Sequence, residues 1–363
     1  MKNIYVFSII VCLILEGCLS NKEVRFSGMV EIGFIENGDL LLLNDTSLWR
    51  YPQQMEVVDS FLIVLDEYDG YFFRVYSTDG TFLMNFGRKG QGPGELLWLN
   101  NFHLSMDRKK MYAYDDKSKK IIEYGLDSLF AKKITFNDYS VDRNKIPKSK
   151  CPTIFYDMLP LNDGKFLIKG NHTDLRYGIF DVFSKEIEPI YNSFLNDSLS
   201  IDSPEEVWSL FSSMTVTKLS PDKTKMVNST YIGGMMEIFS LDSAKKKMSL
   251  KACSFIYEPI YGCAEGAVPV YVVNNQNTQF GFEDVCVTDK LIYALLHDEG
   301  NQQEPTFITV FDWDGNILKR IDTEKRIAKI CLNENEKTMY LLVLNEENGY
   351  ELNVMNLIPE NQI

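Results

Sequence analysis

Six times along this chain the same order of segments returns. An apolar strand-like run is followed by a polar turn, an aromatic-rich alternating run, and a turn built of Asp, Gly, Ser or Asn. Alternation of apolar and polar residues with a period of two marks a half-buried strand, and short polar clusters between such runs mark turns. The clearest copy uses residues 60–65, 71–76 and 81–86, with Asp79 and Gly80 between the last two. An Asp-Gly pair suits a tight hairpin with positive φ at both central positions. Later copies join residues 110–114 to 120–124, 165–168 to 177–183, 224–227 to 235–239, 291–296 to 307–311, and 338–343 to 350–354. No long amphipathic helix is legible between them.

Taking Tyr76, Tyr124, Phe180, Phe239, Phe311 and Val354 as equivalent points, the spacings are 48, 56, 59, 72 and 43 residues. A repeat of about 40–50 residues holding four strands has the length of one propeller blade. Six repeats predict an all-β, six-bladed β-propeller with four-stranded antiparallel blades, forming one domain over residues 19–363. A two-sheet sandwich or a pair of β domains is the competing arrangement. Too few residues follow Val354 to complete the last blade, so residues 24–35 are predicted to supply its outer strand and close the ring. Closure removes sheet edges that would otherwise pair with other chains. Residues 137–150, 192–208 and 257–277 stretch the spacing and read as extended loops, the second with a short helix at 204–208. Loops on a rigid scaffold are where binding residues concentrate.

The first 18 residues read as a leader. Lys2 supplies a positive start, and residues 4–15 are apolar apart from Ser8. That run suits a signal peptide and is too short to span a bilayer comfortably. It ends at Leu15-Glu16-Gly17-Cys18, which resembles the box of bacterial lipoproteins, with Glu16 where that family usually carries a small or uncharged residue. The resemblance implies cleavage before Cys18 and lipidation of its thiol, so that acyl chains anchor a water-soluble body to a membrane. The net charge of −14 argues against nucleic acid as a partner, because an acidic surface repels phosphate backbones.

Cys12 lies in the leader, which leaves Cys151, Cys253, Cys263, Cys286 and Cys331 beyond Cys18. No Cys-x-x-Cys pair occurs, so zinc-ribbon and thioredoxin chemistry find no support. Cys253 and Cys263 could bridge a loop, but buried free thiols are the expected state. His103, His172 and His297 each fall in a different repeat, so no metal spacing is present, and no cofactor motif is found. His103 sits on a short run placed to line a central channel, although a packed or hydrogen-bonded imidazole is the expected state, while His172 and His297 read as solvated turn residues. Asp312, Asp314 and Asn316 invite a calcium reading, but position 323 is Thr where a calcium loop of the EF-hand type needs a late Glu. A hairpin accounts for them, and Asp66, Glu67, Asp69, Asp115 and Asp116 read as solvated inter-strand charge. Trp98, Trp208, Tyr257, Tyr261 and Tyr271 fall near expected loops and could stack on sugars or peptide side chains.

Residues 86–95, Phe-Gly-Arg-Lys-Gly-Gln-Gly-Pro-Gly-Glu, place four glycines and a proline directly after a strand. The run lacks the Gly-Lys-Ser/Thr ending of a phosphate-binding P-loop. Read structurally it connects two blades; read functionally, Arg88, Lys89, Gly90 and Gly92 form an anion or ligand loop using exposed backbone N–H groups. In this context the run resembles that of TolB-like six-bladed β-propeller lipoproteins of Bacteroides-type bacteria. The resemblance spans residues 24–358 and implies the fold and a location in the cell envelope, in the outer membrane facing the periplasm or the surface. It implies no reaction and transfers no catalytic residue. The expected function is a non-catalytic binding or scaffolding propeller for an envelope protein or a glycan. The alternative is a hydrolase or lyase with a metal or carboxylates in the central channel.

Overall fold

The structure is a computed structural model that describes residues 32–34, 39–41, 49–141, 155–162, 164–172, 175–191, 215–256, 262–263, 272–273, 278–297, 306–323, 325–333, 335–345 and 349–357. The leader, Cys18 and Cys151 lie outside them, as do Trp208, Tyr257, Tyr261 and Tyr271. Two short strands come first, β1 (Ile32–Phe34) and β2 (Asp39–Leu41). Blade 1 follows as β3 (Gln54–Val58), β4 (Phe61–Tyr68), β5 (Tyr71–Ser77) and β6 (Phe82–Arg88). Blade 2 holds β7 (Phe102–Leu104), β8 (Lys110–Asp115), β9 (Lys120–Gly125), a short helix α1 (Leu126–Phe130) and β10 (Phe136–Ser140). Blade 3 is β11 (Phe155–Pro160), β12 (Lys165–His172), β13 (Leu175–Asp181) and β14 (Ile187–Tyr191). Blade 4 is β15 (Thr215–Leu219), β16 (Lys225–Thr230), β17 (Met235–Asp242) and β18 (Lys247–Phe255). A small hairpin, β19 (Gly262–Cys263) with β20 (Val272–Val273), precedes blade 5. That blade is β21 (Phe282–Val287), β22 (Leu291–His297), β23 (Thr306–Asp312) and β24 (Ile317–Asp322). Blade 6 closes with β25 (Ile327–Leu332), β26 (Thr338–Asn345) and β27 (Gly349–Asn356).

Each blade is an antiparallel meander in chain order. The six equivalent aromatic or apolar points all fall on the third strand of their blades, so the sequence period and the structural period coincide. Physical closure is visible in the core, which is divided into wedges between neighbouring blades. Phe73 and Phe86 of blade 1 pack with Phe102 and Tyr124 of blade 2. Equivalent wedges follow around the ring, and Met55, Val57 and Tyr76 of blade 1 meet Tyr340 and Leu342 of blade 6. Fully burying one such side chain contributes roughly 1.5–3 kcal/mol, so apolar packing is a large part of what holds each interface. The first strands stand side by side around the axis.

The N-terminal segment does close the ring, but with different residues from those expected. β2 pairs antiparallel with β27 as the missing outer strand of blade 6, whereas β1 adds a parallel fifth strand to blade 5. The closing strand therefore lies wholly downstream of residues 24–35, which their apolar content alone could not reveal. The expected loop 137–150 is also corrected. Residues 137–140 belong to β10, which pairs with β9. This outer strand is mostly exposed, and its polar residues gave it the look of a loop. The hairpin at Asp79-Gly80 has positive φ only at Gly80, whose N–H donates to the Ser77 carbonyl. Residues 142–154, 192–214 and most of 257–277 lie outside the described residues.

Candidate functional site at the channel mouth

The first strand of every blade must turn back at one end of the ring, and the length of that turn decides what reaches the axis. In blades 1 and 5 the return is tight. In blade 2 it takes residues 105–110: Ser105 N–H donates to the Lys110 carbonyl (2.9 Å), and Arg108 N–H to the Ser105 carbonyl (3.0 Å). Ser105 Oγ donates to Asp107 Oδ1 (2.6 Å), which locks the bend. Blade 4 repeats the design with Ser220, Asp222, Lys223 and Lys225, and Ser220 Oγ again donates to its aspartate at 2.6 Å. Blade 6 repeats it with Asn333, Glu336 and Thr338. The fourth position of each turn is left-handed, with φ of 54° at Arg108, 58° at Lys223 and 56° at Glu336. Three alternate blades thus deliver one long charged side chain apiece to the same mouth.

These side chains line a cavity of about 150 Å³ to which all six first strands or their turns contribute. Below them lies Lys218 of β15, whose Nζ is 2.6 Å from Glu56 Oε1 of β3. Blades 1 and 4 stand opposite in a ring of six, so this ion pair spans the channel. Burial opposes ionisation of Glu56, but the Lys218 ammonium, together with Arg108 and the Gln54 amide, outweighs it and holds the carboxyl below its ordinary range. Burial likewise opposes the charge on Lys218, and Glu56, with Asp284 behind it, raises its pKa above the usual lysine value. Lys223 differs. Burial lowers its pKa to about 8, with Arg108 and Lys218 repelling its charge and only Glu56 countering them. Its ammonium reaches the Leu104 carbonyl at 3.5 Å, and Arg108 donates to the Val57 carbonyl.

His103 lines the same cavity, as its place in the sequence implied, and its Nε2 is 2.6 Å from Asp157 Oδ1 on the neighbouring blade. A register shift between Phe155 and Asp157 precedes that aspartate. Burial works against the Asp157 charge, and His103, with Lys169 and the Met158 N–H, more than offsets it, lowering its pKa. Cys286 also faces the mouth, but burial pushes its thiol well up, so it is an unreactive thiol rather than a thiolate. Among the described residues no cluster of three or more His, Cys, Asp or Glu is arranged to hold a metal.

The glycine-rich loop sits at the opposite end of the blades, between β6 and β7. Gly92 N–H donates to Glu95 Oε2 (2.8 Å), Arg88 pairs with Glu95 (3.6 Å), and Lys89 pairs with Glu67. The anion facing these groups is the chain's own Glu95, so an external anion would have to displace it. β14 ends and β15 begins at that same end, opposite the cavity.

Several other residues stand elsewhere than their sequence context suggested. His297 is no solvated turn residue. It is buried at the end of β22, with Nε2 3.0 Å from Glu283. Asp66 and Asp115 are buried rather than solvated. Asp66 pairs with Arg74 and accepts Tyr51 N–H, while Asp115 accepts Leu97 N–H and so ties a loop to blade 2. His172 lies at the end of β12, its side chain outside the description. Asp312 accepts the N–H groups of Asp314 and Asn316, as a hairpin requires. Cys253, Cys286 and Cys331 are free thiols. Trp98 is exposed and carries Lys117 over its ring at 4.5 Å. The mouth cations were missed in the sequence because they sit in turns more than a hundred residues apart; the repeated Ser-x-Asp-Arg/Lys at 105–108 and 220–223 was the available signal.

A closed ring of six four-stranded blades defines the class, and comparison with known proteins supplies the family. Residues 35–335 match the TolB-like 6-blade propeller-like family, and the chain belongs to it. Among solved structures, a Bacteroides fragilis protein named as exported aligns with a TM-score of 0.53 at 12% identity, over 88% of this chain and 94% of that one. A member of the DUF4221 family from Bacteroides vulgatus aligns with a TM-score of 0.53 at 8% identity, over 89% and 98%. At these identities the likeness is one of fold. No curated protein matches the sequence.

Proposed function

We propose that this protein is a lipid-anchored envelope propeller that binds a protein or glycan partner at its channel mouth without transforming it. The observation that carries the reading is the cavity built jointly by all six blades and furnished with charged side chains from alternate turns. Rigid scaffolds with polar groups converging on a concavity are the usual form of a binding site. The apolar run ahead of Cys18 supports the anchor, and the exported Bacteroides fragilis neighbour agrees with an envelope address. The family places no chemistry on the chain, since a fold does not fix a function.

The His103–Asp157 pair favours a second reading, a hydrolase or lyase using carboxylates in the channel, because an aspartate orienting an imidazole is how a general base is held. One experiment separates the two. Full-length protein in detergent is used to capture envelope glycans and proteins, and the captured material is then tested for turnover. Recovery of intact ligand that is lost on Arg108→Gln supports binding. Turnover abolished by His103→Gln overturns the non-catalytic reading.

A further inference from the structure

We propose that the channel mouth selects a small anionic group, a carboxylate or a phosphate, held between Arg108, Lys218 and Lys223. This rests on the mouth being the recognition site and names the chemistry it recognises. Three cations from two turns and one inner strand converge on the cavity, against the carboxylates of Glu56 and Glu336. Glu56 is engaged by Lys218 across the axis. The rest of the chain is acidic, with a net charge of −14, so a cation-rich concavity is a local inversion of the protein's field. A guanidinium fork beside two ammonium groups is the donor set that planar carboxylates and phosphates bind best. A cavity of about 150 Å³ admits a small molecule or the charged end of a larger one, not a folded segment.

The state of Lys223 agrees with this geometry. Its ammonium is held where burial and two neighbouring cations disfavour charge, which an incoming anion would relieve. By linkage, anion binding raises the Lys223 pKa, and affinity falls as pH rises through about 8. The titratable and charged groups that line the cavity with Lys223 are Glu56 from β3, Arg108 and His103 from blade 2, Lys218 from β15, Cys286 from β21, and Glu336 from the blade 6 turn. Asp222, next to it in the turn, is held by Ser220 and Thr224.

The test is calorimetric titration of the full-length protein in detergent at fixed ionic strength with sodium glucuronate, sodium phosphate and, as the neutral control, glucose. Saturable binding of glucuronate or phosphate, with none of glucose, is expected, and the preferred anion identifies the source of the charge. Lys223→Gln should weaken binding about tenfold or more, the loss of one charge-assisted hydrogen bond. Affinity of the wild type should fall between pH 7.5 and 9.5, and that of Lys223→Gln should stay flat. If Lys223→Gln fails to fold by circular dichroism, Arg108→Gln takes its place. Lys245→Gln, on an exposed outer turn, should bind as wild type does. Absence of saturation by either anion, equal binding of glucose, or unchanged affinity in the folded mouth variant overturns the proposal. If the anions fail while envelope ligand is still captured and lost on Arg108→Gln, the anion assignment falls and the binding function stands.

Discussion

Substituting alanine for Gly87 introduces a single methyl group at a point where two separate costs can be counted. Gly87 lies near the end of β6, the outer strand of blade 1, at φ of 68°, in the left-handed region that disfavours side chains by about 1–2 kcal/mol. A Cβ built there lies 2.6 Å from Phe73 Cδ2 and 3.0 Å from Cε2. Phe73 cannot easily move aside. It is fully buried, stacked on Phe86 at 4.6 Å, and edge-on to Phe102 at 5.4 Å across the blade interface. Overpacking of this kind costs about 1–3 kcal/mol, giving about 2–5 kcal/mol in all. Gly70 supplies the control, since its φ is 79° yet nothing lies within 4 Å of an added Cβ. Gly70→Ala should carry only the conformational cost. Urea denaturation followed by circular dichroism should place Gly87→Ala below Gly70→Ala by about 1–3 kcal/mol. Equal midpoints for the two variants would refute the claim that the glycine run is fixed by packing between blades.

Three further outcomes follow from particular residues. Cys18→Ala should move the protein from the membrane to the soluble fraction with its circular dichroism unchanged, and retention in the membrane would refute the lipid anchor. Arg176 and Glu237 form a buried bidentate pair between blades 3 and 4. Glu237→Gln should cost about 3–5 kcal/mol in urea denaturation, because it leaves a buried guanidinium uncompensated. The folded Lys223 pKa of about 8 lies below the free lysine value near 10.4, so the unfolded chain binds more protons between them. Stability of the wild type relative to Lys223→Met should therefore rise as pH goes from 8 to 10, and a falling difference would contradict the burial of that ammonium.

The fold was legible because its period is written in side chains that the core requires. Tyr76, Tyr124, Phe180, Phe239 and Phe311 are all buried, and a residue that must fill an inter-blade wedge cannot be varied to a polar one. The closing strand was less legible, since β2 is three residues long and any short apolar run near the N-terminus could have taken its place. Exposed β10 failed for the opposite reason: an outer strand needs only backbone pairing, which leaves no apolar alternation to read. Asp66 and Asp115 look like solvated charge in a linear reading, and Glu95 is only the last residue of the glycine-rich run. Each is instead an acceptor for backbone N–H groups at a blade connection, a role decided by which loop folds over it. The mouth was the least legible part. Arg108, Lys218 and Lys223 come from two blades, meet the carboxylate of Glu56 from a third, and acquire their chemistry only when the ring closes.

Hydrogen–deuterium exchange of the full-length protein, with and without the ligand it captures from envelope extracts, tests the central claim most directly. Ligand should protect amides in the turns at 105–110, 220–225 and 333–338 and leave the loop at 88–101 unchanged. Protection confined to residues 88–101 and the other connections at that end of the blades would place recognition on the opposite face and contradict the account.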